Sequence, residues 1–413
     1  MRSMGRCMRG YPYAFYVALD GNGANGLEGM AGMCLFLYDP AAERYAWKIK
    51  YYDGVAAGHA CSVNPSGRVG FLGNAGQHLL FFDAETLEET QRVSTLRFEG
   101  PGTSLQGSTH LAWLDDERFV TAIGRHFWRF CLTDLENPER LEPHQVFLPH
   151  AMKRTASGRY LCYGSMDDPG RGRRGEARHV GIRDMETGAV SVVKLPATCW
   201  HVLPHPREEL FYAISFRTAP MDRVDYHEWG MAWLKEYVFE IDAASGQVRR
   251  HWATGRDTPA HVNSDITISD SELIFCNGGS QSVLFLDLET FARHRMIDEK
   301  PDAVTLAQRP REVVNQAYDV LARGNFFGNS QHILGALRVS RGSLLDSVYA
   351  CQLSADQRLL FTANRGLNHI TVYDYPSNRV RLRAPMPDIQ EFVPGMSPLA
   401  DPRLGFHHGA LVG

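Results

Sequence analysis

Residues 180–188 read VGIRDMETG and residues 238–246 read VFEIDAASG. In both, a short apolar run ends on an aspartate, a polar turn follows, and a glycine closes it. Related runs end at Asp39 (LFLYDPAAE), Asp83 (LLFFDAETLE), Asp287 (LFLDLETF) and Asp374 (ITVYDYPSN). A second turn lies upstream of most of them and splits two further apolar runs. It reads Asn64-Pro65-Ser66-Gly67, Asp115-Asp116-Glu117, Ala156-Ser157-Gly158, Pro206-Arg207-Glu208-Glu209, Ser269-Asp270-Ser271-Glu272 or Ser354-Ala355-Asp356-Gln357. The unit repeats roughly every fifty residues and holds four short strands, named A to D in chain order, which is the content of one propeller blade.

Strands B, C and D of a first blade fall within 12–50, and full sets follow near 58–95, 108–148, 149–195, 200–252, 260–295 and 347–384. The first blade lacks strand A. The fragment His408-Gly409-Ala410-Leu411-Val412 near the end of the sequence supplies it. An open ring would expose a strand edge of unpaired backbone groups, so exchange between the chain ends is expected to seal it. The reading is an all-β, seven-bladed β-propeller in one domain over 1–413, closed by the C-terminal strand.

The stretch Arg358–Asp374, RLLFTANRGLNHITVYD, resembles repeats of the YVTN and lactonase-like group of seven-bladed propellers. The resemblance is close over that one blade and architectural elsewhere. It implies a fold rather than a reaction, because propellers host lyases, lactonases, oxygenases, electron-transfer proteins and scaffolds.

Composition narrows the partners. Hydrophobic residues at 44% and charged residues at 22% allow a sizeable core. A formal charge of -4 gives no electrostatic reason to expect nucleic acid or an anionic membrane, and no apolar run approaches the ~20 residues of a membrane span. The opening MRSMGRCMRGYPYAFYVALDG has only the short apolar run Tyr13–Leu19, read as a strand of a cytoplasmic protein. Eight cysteines stand singly at 7, 34, 61, 131, 162, 199, 276 and 351 with no CxxC pair, which suits buried free thiols.

The A strands share a first residue. They begin His59-Ala-Cys-Ser-Val, His110-Leu-Ala-Trp-Leu, His150-Ala-Met-Lys-Arg, His201-Val-Leu-Pro-His and His408-Gly-Ala-Leu-Val. His59 and His150 stand ten residues before Val69 and Tyr160, and His110 and His201 nine before Phe119 and Leu210. Tyr349 fills the slot in blade seven, ten before Leu359. Blade six is looser: His261 lies twelve before Leu273, and Asn263 or Ser264 takes the aligned position. Strand A lines the central axis, so these imidazoles should converge at one mouth of the channel. Neutral imidazoles can crowd one cation where carboxylates would repel each other. His407, next to His408, is expected to point elsewhere on the strand.

A structural role is the competing reading. WD-repeat propellers place a hydrogen-bonding histidine in a Gly-His pair before strand A, and Gly58-His59 matches that pair. The other histidines follow Thr109, Pro149, Trp200 and His407, and the Trp-Asp ending of strand C is absent.

Long insertions sort to the same mouth. They are 21–32, 165–177, 217–234, 296–346 and 385–405, all in B–C or D–A connections. Long loops on one end of a rigid scaffold usually build a binding site. Residues 310–323 have helical spacing after Pro310 and form either a lid or a rim element. Arg171, Arg173 and Arg174 could hold a carboxylate or phosphate, although a solvated arginine loop is the commoner case, and His227 and Trp229 could wall an organic ligand or equally be ordinary packing. No phosphate-binding loop, H-E-x-x-H, G-x-S-x-G or EF-hand pattern occurs.

The ring is similar to that of carotenoid cleavage oxygenases, in which four axial histidines hold iron in a seven-bladed propeller. That resemblance implies one transition-metal ion, Fe(II) first and copper or manganese next, acting with oxygen on a small organic substrate. The ligands would come from His59, His110, His150, His201 and His408, with Tyr349 and His261 as catalytic contacts. A manganese- or magnesium-dependent lyase or lactonase is the second reading, and a non-enzymatic interaction propeller the third.

Overall fold

The computed structural model describes residues 10–19, 30–55, 58–74, 76–99, 109–166, 178–215, 236–253, 263–277, 282–299, 348–364, 369–385 and 405–413. They form seven four-stranded antiparallel sheets. Blade one holds β1 (Tyr13–Leu19), β2 (Ala31–Asp39) and β3 (Arg44–Tyr52). Blade two holds β4 (Gly58–Val63), β5 (Val69–Asn74), β6 (His78–Asp83) and β7 (Glu89–Ser94), followed by the one-turn helix α1 (Leu96–Glu99). Blade three is β8 (Leu111–Trp113), β9 (Arg118–Ile123), β10 (His126–Cys131) and β11 (Asp134–Pro143). Blade four is β12 (Pro149–Arg154), β13 (Tyr160–Ser165), β14 (His179–Asp184) and β15 (Val190–Lys194). Blade five is β16 (Cys199–Pro204), β17 (Leu210–Ser215), β18 (Tyr237–Asp242) and β19 (Val248–Ala253). Blade six is β20 (Asn263–Ile268), β21 (Glu272–Asn277), β22 (Ser282–Asp287) and β23 (Arg293–Asp298). Blade seven is β24 (Val348–Leu353), β25 (Leu359–Asn364), β26 (His369–Asp374) and β27 (Arg379–Pro385).

The last strand, β28 (Phe406–Val412), pairs antiparallel with β1 and completes blade one. It begins two residues earlier than the sequence suggested.

Packing closes the circle. Seven apolar clusters each lie between two neighbouring blades: one–two, two–three, three–four, four–five, five–six, six–seven and seven–one. A sheet buried on both faces favours near-continuous apolar runs, and the B strands β13, β17 and β25, apolar but for a few small polar residues, are buried throughout. The D strands form the rim and carry the charge, as in the exposed Glu89, Arg249 and Arg379.

The recurrent aspartate now has a cause. Oδ1 of Asp184 accepts the backbone N–H groups of Glu186 (2.8 Å) and Thr187 (3.1 Å). Asp39, Asp83, Asp242 and Asp287 do the same two and three residues on. Such side-chain turns fix the C–D hairpin locally. Asp374 is the exception, because the residue two on is Pro376 and offers no N–H; it pairs with Arg379 and Arg381 instead.

The long insertions leave from the strand ends at which the A strands begin. The residues between them, including the helix expected over 310–323, lie outside the described part. Seven of the cysteines are described and all seven are free thiols. Among the described residues no helix is long and apolar enough to cross a membrane.

Candidate metal centre

Six of the seven A strands enter the axis through the same backbone device. Pro149 and His150 pair with Ser165 and Gly164, but Met152 pairs with Tyr163, so Ala151 is an extra residue. β4, β16, β20, β24 and β28 each carry a similar one-residue excess at this level. A bulge breaks the two-residue alternation of a strand and re-aims the side chains beside it. Ala151 adopts φ 43°, a left-handed conformation that costs a non-glycine residue about 1–2 kcal/mol. That strain sits beside His150. In blade three β8 is regular, and His110 immediately precedes it.

Six imidazoles converge at this level. His110 and His150 have ring centroids 4.3 Å apart, His59 and His150 4.7 Å, His150 and His201 4.9 Å, and His201 and His408 4.3 Å. The ligand atoms of His59, His110 and His150 all lie within 4.8 Å of one another, as do those of His59, His407 and His408. Two nitrogens bound to one ion at ~2.1 Å are at most ~4.2 Å apart, so small rotations bring either triad onto a common cation.

His407 corrects the sequence reading. Val17 pairs with Gly409 and Leu19 with Phe406, so the single residue Ala18 faces both His407 and His408. Strict alternation would send His407 away from the axis; the bulge returns it, 4.3 Å from the His59 ring.

Two details suit the ring to a metal. The Nδ1–H of His150 donates to the Trp200 carbonyl at 2.9 Å, which leaves Nε2 as its unprotonated nitrogen, facing Nε2 of His59 at 2.5 Å. Histidine ligands are commonly oriented in this way, by a hydrogen bond on the far nitrogen. Nδ1 of His110 similarly lies 3.2 Å from the Thr109 hydroxyl, and the Thr121 hydroxyl holds the His110 carbonyl at 2.7 Å. Second, the buried Nε2 of His201 and both ring nitrogens of His408 have no hydrogen-bond partner among the described residues. Each such group costs about 1–3 kcal/mol if it stays unsatisfied.

Burial sets the charge state. It pushes His150 down to about 4 despite the Trp200 bond, and pushes His110, His201 and His408 well below the ordinary imidazole range. Neighbouring imidazoles, and Lys153 for His110 and His201, add to the effect. These side chains therefore stay neutral, with lone pairs available, at physiological pH.

Blades six and seven differ. Tyr349 is the extra residue of β24 and packs against His407, with ring centroids 4.6 Å apart. In β20, Asn263 pairs with Asn277 and the next paired residue is Ile266, opposite Phe275. The residue that approaches the ring is Asp265, which the sequence reading missed. Its Oδ1 lies 4.0 Å from Nδ1 of His408. Its Oδ2 accepts N–H groups from Cys351 (3.1 Å) and the Gln352 side chain (3.1 Å), while Oδ1 accepts that of Ile266 (3.0 Å). Burial outweighs these donors and raises its carboxyl to about 6. A lone carboxylate in the otherwise uncharged run Asn263-Ser-Asp-Ile-Thr-Ile268 was the available signal.

Gly58 owes its place to packing. A Cβ there would stand 2.2 Å from the Leu19 carbonyl of blade one. At the four–five interface the small residue is on the other side: a Cβ on Gly164 would stand 2.2 Å from the Trp200 carbonyl that orients His150. The Gly-His pair therefore needs no special histidine role to explain it. His261, Arg171, Arg173, Arg174, His227 and Trp229 lie outside the described residues.

Comparison with solved structures supports the fold. Dihydro-heme d1 dehydrogenase NirN, in complex with DHE, aligns over 93% of this chain and 75% of its own, with TM-score 0.52 and 13% identity. Hydrazine synthase of Kuenenia stuttgartiensis aligns over 80% of this chain and 86% of its own, with TM-score 0.53 and 12% identity. At such identity the likeness is one of fold. No family model and no curated protein matches the sequence.

Proposed function

We propose that the protein is a metal-dependent oxidoreductase whose imidazole ring holds a first-row transition ion at the channel mouth, with ferrous iron first and copper next. The observation that carries this reading is the His150 tautomer: Nδ1–H is committed to the Trp200 carbonyl, and Nε2 is aimed at the convergence of His59 and His110. Iron and copper both accept imidazole nitrogen. When bound, the ion would supply one-electron chemistry or polarise a substrate oxygen.

The protein's own part is to keep His110, His150, His201 and His408 neutral by burial, to hold the ring on strands most of which are bulged, and to present Tyr349 beside it. A small organic substrate would enter from the face that carries the long connections, where Arg171, Arg173, Arg174, His227 and Trp229 are the proposed contacts and His261 a further catalytic candidate. That one protein of similar fold is named a dehydrogenase agrees with redox chemistry but rests on fold alone.

Asp265 favours a second reading. An oxygen donor near His408 suits harder cations such as manganese, and a manganese lyase or lactonase would use the ion to polarise a carboxylate or ester.

The test is metal analysis of protein purified without an affinity tag, beside a His59→Ala/His150→Ala double variant. Bound iron or copper that falls at least tenfold in the variant, with an unchanged circular dichroism spectrum, supports the oxidoreductase. Manganese with no oxygen consumption supports the lyase. Protein that binds no metal and cannot be loaded overturns both and leaves an interaction propeller.

A further inference from the structure

The ring contains more donors than one ion uses. His59, His110, His150, His201, His407 and His408 bring six imidazoles, and Asp265 brings a carboxylate 4.0 Å from His408. A first-row ion takes about four to six ligands and in enzymes usually keeps a position open. Part of this set is not spent on hydrogen bonds: both ring nitrogens of His408 and Nε2 of His201 are buried without a partner among the described residues.

The donors also divide in space. His59, His110 and His150 make one close triad, from blades two, three and four. His407 and His408 make another with His59. His201 stands between the two, 4.3 Å from His408 and 4.9 Å from His150, and Asp265 lies beyond His408. His110 and His408, on opposite sides, are 6.3 Å apart between centroids. His59 belongs to both triads.

We infer that the ring holds two metal ions in adjoining sub-sites, with His59 between them; this rests on the metal-binding reading above. The first sub-site is His59, His110 and His150. The second is His407 and His408, completed by His201 and the Asp265 carboxylate. Charge selects among the metals. Two divalent ions would place four positive charges among neutral imidazoles and one carboxylate, and would need an anionic bridge such as hydroxide. Two copper(I) ions would place only two. Monovalent copper, which imidazole binds well, is therefore the cation that should fill both sub-sites most readily.

The experiment is anaerobic titration of the untagged, metal-stripped protein with copper(I) alone, followed by desalting and metal analysis. Wild type is expected to retain two equivalents, and His110→Ala and His407→Ala one each. X-ray absorption on doubly loaded wild type should show a metal–metal vector at roughly 3–4 Å. One equivalent in wild type overturns the two-ion inference and leaves the single-ion ring standing. No bound copper, together with no bound iron or manganese, overturns both. Two equivalents without a metal–metal vector mean separate sites and also overturn it. A variant that fails to fold removes only its own arm, because the stoichiometry and the vector are both read on wild type.

Discussion

The axial ring has two arcs built on one backbone. From blade one through blade five the slot at the start of strand A holds histidine, and in blades six and seven it holds Asp265 and Tyr349. Yet β20 and β24 carry the same one-residue excess as β4, β12 and β16. If the propeller needed imidazole to build this slot, blades six and seven would have it too. The bulge is architectural, and the side chain placed on it is free to be chosen for chemistry. The contrast agrees with the ligand role proposed for the histidines.

β28 joins the two arcs, so removing it should break both at once and give the largest effect. The strand pairs with β1, and its Leu411 and Val412 pack into the clusters on either side of blade one. The Gly413 carbonyl accepts the Ala355 N–H at 2.9 Å, and the Gly409 N–H lies 3.5 Å from Oδ2 of Asp265. Deleting residues 408–413 should expose the β1 edge and cost several kcal/mol, comparable with a net stability of about 5–15 kcal/mol. Thermal unfolding followed by circular dichroism should lose its cooperative transition or fall steeply in Tm. An unchanged Tm would show that the ring closes without this strand.

Titration should then separate the arcs, because they respond to acid in opposite senses. The folded pKa of His150 is lowered to about 4, below its unfolded value near 6.5, so its stability is complete above 6.5 and is lost as pH falls toward 4. At 1.36 kcal/mol per pH unit this one group accounts for about 3 kcal/mol at most. His110, His201 and His408 shift the same way. Asp265 is raised from 3.8 to about 6, so its contribution is complete below 3.8 and is lost as pH rises through 6. Metal-stripped protein should therefore lose stability between pH 6.5 and 4, with Asp265 partly offsetting the loss. Asp265→Asn should steepen it. Chemical denaturation at a series of pH values measures both slopes, and a flat profile in both proteins would contradict the burial of the ring.

Most of the architecture was legible because it is written locally. The turns at Asp39, Asp83, Asp184, Asp242 and Asp287 are pinned within three residues, so a single sequence displays them. The apolar half of the last strand and the alignment of five histidines were legible for the same reason. A bulge is different: one extra residue in a strand leaves no residue-type signature, and only the alternation of nine- and ten-residue spacings hinted at it. The role of His407 was hidden by that bulge. Asp265 was hidden because counting back from Leu273 pointed to Asn263 or Ser264, whereas β20 skips forward to Ile266. The carbonyl that orients His150 comes from Trp200, fifty residues away on the next blade, and no periodicity connects the two.

The smallest expected effect is the sharpest test of the contrast between the arcs. Tyr349 occupies the seventh-blade slot, buried against His407, with its neighbours Val348 and Ala350 paired to Asn364 and Ala363. If the slot is indifferent to the side chain it carries, Tyr349→His should fold normally. It exchanges one ring for a smaller one against the same neighbour, and the cost of such a change falls as the surroundings relax into the space. Tm should move by a few degrees at most, and the metal stoichiometry should stay that of wild type, since the added imidazole joins a ring already rich in donors. Loss of folding would mean that blade seven requires the phenol, so that the residue in each slot is fixed by packing. The argument from blades six and seven to a chemical role for the histidines would then fail with it.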